Sequence, residues 1–127
     1  MLRVRGSSRS RSRSRRWEKA GRVHWYFYLF QFFGGALLAN GVPHFVQGIS
    51  GNPFQSPFGS PPGVGESSPL SNVLWGFGNL LAGVLLLHFF WPQGDAALGG
   101  WIAVGAGALL LSVQLSIYMG KVRAGKR

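Results

Sequence analysis

The chain has 127 residues, with 13 Lys and Arg against 3 Asp and Glu, a formal net charge of +10 and no cysteine. That length suits one small domain, and the missing cysteine excludes disulfides, thiolate metal sites and a cysteine nucleophile. The charge sits at the ends: between Arg22 and Lys121 there is no Lys or Arg, and only Glu66 and Asp95 are acidic. A water-soluble domain needs charge across its surface, so residues 23–120 read as a membrane domain.

Residues 1–22, MLRVRGSSRSRSRSRRWEKAGR, hold too few apolar side chains to bury a core, and read as a disordered basic Arg/Ser tail. The partner expected for this tail is the anionic headgroup surface of a bilayer, where each basic residue is worth about 1 kcal/mol. Arg-Ser alternation also occurs in nucleic-acid-binding segments; attached to a membrane span, that reading ranks third.

Residues 23–40, VHWYFYLFQFFGGALLAN, are uncharged and begin with the interfacial aromatics Trp25, Tyr26 and Tyr28. At about 1.5 Å per residue they extend roughly 27 Å, close to the hydrocarbon thickness of a bilayer. The competing assignment is a signal peptide, with Ala39-Asn40-Gly41 as a small-x-small cleavage site. Asn40-Gly41 followed by Pro43 predicts that the helix stops there.

An outer loop over 41–68 follows, holding five of the 7 prolines together with Phe45, Val46, Ile49, Phe54, Phe58 and Val64, and Pro69 follows directly after it. A loop of that length with that composition is expected to pack back over the helix ends. Asn40, His44 and Gln47 form its most polar cluster and are the candidate ligand or partner site.

Residues 69–91, PLSNVLWGFGNLLAGVLLLHFFW, are the second span, started by a Ser68 cap and Pro69 at the first helical position. Residues 96–119 are the third, with Asp95 as the expected cap. The short connection between them predicts a tight antiparallel hairpin. Small residues at helical spacing, Gly99, Ala103, Gly107, Ala108, Ser112 and Ser116, mark helix-packing faces, repeated more weakly at Gly78/Ala82 and Gly35/Ala39. Residues 121–127 are a basic C-terminal tail. The fold expected is therefore all-α, with three transmembrane helices.

The run NGVPHFVQGISGNPFQSPFG with the later SSPLSNVLWGFGNL resembles a group of small bacterial integral membrane proteins of unassigned function, over about residues 35–85. The resemblance implies a bacterial inner-membrane location and no particular activity.

Polar groups at membrane depth are functional hypotheses by default, and here they are Gln31, Asn79, His88 and Gln114. His24 and His88 lie beside aromatic residues as interfacial anchors do, and His44 falls at the opposite membrane face. No metal or other cofactor is therefore expected. No carboxylate pair, phosphate-binding glycine loop or Ser-His-Asp order is present on one side, so no enzyme is expected. The positive-inside rule places the N-terminus in the cytoplasm and leaves Lys121 to Arg127 outside. A domain this small, with small-residue faces, is expected to form a homo-oligomer or join a larger membrane complex. The leading function is a structural or accessory component of a bacterial membrane assembly. The runner-up is an oligomeric transporter or channel whose path is lined by Gln31, Asn79 and Gln114.

Overall fold

The computed structural model describes residues 24–125; the expected tail at 1–22, Lys126 and Arg127 lie outside the described residues. The elements are α1 (Trp25–Ile49), a two-residue strand β1 (Phe54–Gln55), its antiparallel partner β2 (Glu66–Ser67), α2 (Pro69–Phe89), a 3-10 turn (Gly94–Ala96) and α3 (Ala97–Ala124). Three helices are long and apolar enough to cross a membrane. The interior is also inverted relative to a soluble protein. Among the described residues the only buried hydrophobic side chain is Phe54, while Gln31, His44, Gln55, Ser56, Ser67, Asn72 and Asn79 are all buried. Leu, Ile, Val and Phe side chains face outward, as a lipid solvent allows. Both features fit a multi-pass membrane protein.

The first helix departs most from its sequence reading. It runs straight through Asn40, Gly41 and Pro43 to Ile49. Pro43 lacks an N–H and so deprives the Ala39 carbonyl of its donor within the helix, a defect that membrane helices tolerate where neighbours compensate. Gly41 serves packing and not a turn: a Cβ there would lie 2.9 Å from the Gly76 carbonyl oxygen. The actual stop is Gly51, whose φ of 74° is left-handed. Its N–H donates to the Gly48 carbonyl at 3.0 Å, and the Asn52 N–H donates to the Gln47 carbonyl at 2.9 Å. These two bonds close the helix end as a Schellman motif. The loop expected over 41–68 therefore contracts to residues 50–68, and Asn40, His44 and Gln47 are helical.

α2 starts as the sequence implies: Ser68 Oγ accepts from the Ser71 N–H at 3.2 Å, with Pro69 in the first turn. Asp95 does not cap α3. It lies within the 3-10 turn, and the capping position is Ala96, which makes no side-chain bond. α3 then continues past the expected end at 119 to Ala124.

α1 is the central helix. Close packing joins α1 to α2 and α1 to α3, so the two helices linked by the tight connection lean on α1 more than on each other. The α1–α2 seam is built on glycines seven residues apart: Gly34, Gly41 and Gly48 on one helix, Gly76 and Gly83 on the other. A Cβ on Gly83 would lie 2.9 Å from the Gly34 carbonyl oxygen, and one on Gly48 would lie 2.7 Å from that of Pro69. A seven-residue repeat keeps one stripe facing its partner along the whole contact.

The α1–α3 seam uses Gly35 against the Val104 backbone, Gly107 against the Phe32 carbonyl, and Gly99, whose added Cβ would lie 2.8 Å from the Tyr28 ring. Of the small-residue face read from the sequence, Gly99 and Gly107 thus meet α1 directly. Ala103 and Ala108 are half-buried, and Ser112 and Ser116 are exposed. Gly78 meets nothing within 4 Å, so the weaker Gly78/Ala82 pattern forms no contact at Gly78.

Candidate functional site

At the loop end of the helices a hydrogen-bonded network replaces the apolar core. His44 and Asn72 face each other across the α1–α2 seam, with Nδ1 2.8 Å from Asn72 Oδ1. The Asn72 amide nitrogen is surrounded by oxygens: the carbonyls of Phe54, Ser67 and Ser68 at 3.2, 3.1 and 3.1 Å, and Ser67 Oγ at 2.9 Å. Two hydrogens shared among four acceptors fix which way the amide points. Its oxygen must then accept from His44, so Nδ1 carries the proton of that bond and Nε2 is turned elsewhere.

The loop is clipped onto this network. β1 and β2 pair Phe54 with Ser67 and Gln55 with Glu66. Ser56 Oγ donates to Ser67 Oγ at 2.8 Å and accepts from the Phe58 N–H at 3.1 Å. Gln55 Nε2 donates to Glu66 Oε1 at 3.2 Å. Phe58, though largely exposed, meets the Trp75 ring of α2 edge-on at 5.3 Å, and the expectation that apolar loop side chains pack back over the helix ends holds most fully for the buried Phe54. Its ring meets His44 edge-on at 5.3 Å and carries the Arg123 guanidinium 5.7 Å from its centroid. Phe58, Val64, Val46 and Ile49 are exposed. A polar clip buries its own hydrogen bonds, and hydroxyl and amide pairs accordingly do most of the anchoring here.

The sequence-derived site residues do converge on this end, each with a partner. Asn40 Nδ2 donates to Asn79 Oδ1 at 3.1 Å, and Asn79 Nδ2 donates to the Trp75 carbonyl at 2.8 Å. Gln47 Oε1 accepts from Asn52 Nδ2 at 3.0 Å. Two cavities adjoin them and share His44, Leu115 and Met119. One, about 530 Å³, opens between α1 and α3 beside Gln47, Ser112, Ser116 and Arg123. The other, about 180 Å³, lies beneath the loop beside Asn40, Gln55, Trp75 and Tyr118.

The remaining polar residues scatter. Gln31 is fully buried at the opposite end of the seam, where its Nε2 donates to the Phe90 carbonyl at 2.7 Å. His24 and His88 are exposed, His88 standing edge-on to Phe89 at 5.1 Å. Gln114 is exposed on α3.

Sequence reasoning missed Asn72, which is the hub of the network, along with Gln55, Ser56 and Trp75. One signal was available. Asn72 and Asn79 stand seven residues apart, in step with Gly76 and Gly83, so the repeat marks both as facing α1. Comparison with protein-family models, with curated proteins and with solved structures gives no match for this chain. The geometry alone therefore carries the functional argument.

Proposed function

We propose that this protein is a structural or accessory component of a bacterial inner-membrane assembly, with its N-terminus in the cytoplasm and the clipped loop outside. The observation that carries the reading is the outward face of α3. Within the apolar windows of the helices, 28% of residues are buried in α1 and 22% in α2, but only 11% in the segment containing α3. That bare face presents Gln114, exposed and without a hydrogen bond among the described residues, whereas Ser112 and Ser116 line the cavity towards α1. Polar side chains at hydrocarbon depth seek protein partners, because lipid offers none. A neighbouring helix, from a second copy or another subunit, supplies what α3 lacks.

Orientation follows from charge. The basic residues at 3–22 precede α1, and residues 50–68 contain neither Lys nor Arg. The oligomeric transporter or channel is less well supported: Gln31 and Asn79 are enclosed in the α1–α2 seam while Gln114 faces away from it, so the three line no common path within one chain.

The reading is tested by purifying the tagged protein at native expression in gentle detergent and measuring its native mass and companions. A reproducible complex of fixed stoichiometry that Gln114→Leu weakens is expected. A monomer without companions overturns the assembly reading.

A further inference from the structure

The 180 Å³ cavity beneath the loop has walls of unusual chemistry. Two of its lining residues bring a buried polar atom that has no partner among the described residues: Gln55 Oε1, an acceptor, and Trp75 Nε1, a donor. Gln55 is only 2% exposed, and its amide orientation is fixed because Nε2 already donates to Glu66. His44 adds a ring edge, and Tyr118 adds a hydroxyl. Between these polar groups the wall is apolar, formed by Pro57, Leu115 and Met119. No Asp, Glu, Lys or Arg is among the lining residues.

Leaving a buried donor or acceptor unmade costs about 1–3 kcal/mol each, so the cavity's occupant must both donate and accept. At about 30 Å³ per water molecule, the volume corresponds to about six waters. Each water needs two to four polar partners, and the apolar stretches of wall supply none. We propose that this cavity is a binding site for a small uncharged molecule with an apolar body and a single hydroxyl or primary amide edge. Such an edge donates to Gln55 Oε1 and accepts from Trp75 Nε1, while the body lies against Leu115, Met119 and Pro57. A carboxylate would set its charge against the Gln55 oxygen with no counter-ion, and an ammonium would leave the indole N–H unmet. The capped loop then holds the roof of a binding site as well as closing the helix ends.

The test uses the full chain in lipid nanodiscs, with the Trp75 indole N–H signal identified by its loss in Trp75→Phe. Benzamide is the probe, and toluene, which has the same apolar body without the amide, is the control. Saturable downfield movement of the Trp75 indole signal is expected with benzamide but not with toluene, while the indoles of Trp25 and Trp101 stay in place. Gln55→Leu is expected to raise the half-saturating concentration at least ten-fold. Where that variant fails to fold, Tyr118→Phe, at a position 41% exposed, is expected to raise it about three-fold. An absent or unsaturable shift, an equal shift with toluene, or an unchanged half-saturation in a folded variant each overturns the proposal and leaves the cavity to water. None of these readouts depends on whether α3 has a protein partner.

Discussion

The two seams of α1 are built on opposite plans. Against α2, glycines at every seventh position bring the backbones together, and three polar residues of α1, Gln31, Asn40 and His44, reach across it with hydrogen bonds. Against α3, Gly35, Gly99 and Gly107 make the close approach, and no side-chain hydrogen bond joins the two helices among the described residues. Towards the loop the second seam opens into the cavity of about 530 Å³. Packing alone tolerates small slides of one helix on another, whereas paired amides tolerate only one register. The comparison teaches that α1 and α2 form the fixed unit and that α3 is the helix with surface to spare.

The largest expected effect breaks the closer seam. Gly41→Leu places a branched side chain where the Gly76 carbonyl oxygen stands 2.9 Å from a bare Cβ, and over-packing of that kind costs about 3 kcal/mol or more. Reversible unfolding in detergent should show this loss, and an unchanged stability would mean that the helices do not meet there.

Asn72→Leu comes next, at about 1–3 kcal/mol, because it strands the His44 Nδ1–H and the loop carbonyls together. Its distinguishing sign is the loop: proteolysis within residues 50–68 should accelerate more than global unfolding does. A smaller term is the coupling between Asn40 and Asn79, expected at about 0.6–1.7 kcal/mol in a double-mutant cycle with Leu at each position. Zero coupling would remove that bond from the seam. The smallest effect is at Gly78, which meets nothing within 4 Å. Gly78→Ala should stabilise α2 by about 0.4–1 kcal/mol through the unfolded chain, and destabilisation would reveal a hidden contact.

Much of this architecture was legible in the sequence, and the failures share a cause. The spans declared themselves through the interval without Lys or Arg between Arg22 and Lys121, and Ser68-Pro69 marked the start of α2 through chemistry local to the chain. Gly41 was misread because glycine answers two demands, a left-handed turn and a close helix approach, and local sequence does not separate them. Only the long-range repeat through Gly34, Gly41 and Gly48 does, matched by Gly76 and Gly83. Pro43 compounded the error, since the rule that proline ends helices weakens where neighbouring helices satisfy the freed carbonyl. Asn40 and His44 were found because polar groups stand out in an apolar run. Asn72, two residues after Leu70 and near a span boundary, looked like an ordinary helix-start residue. Its importance arises from Phe54, Ser67 and His44 converging on it in space, and no local pattern encodes that.

The central claim is that the bare face of α3 is covered by protein in the membrane. Because the chain has no cysteine, a single cysteine carrying a photoreactive group can be placed without interference, at Gln114 on α3 or, as the reference, at Leu81 on the outward side of α2. Illumination of intact membranes should give a discrete protein adduct from position 114 and mainly lipid adducts from position 81. Lipid adducts alone from both positions would contradict the claim.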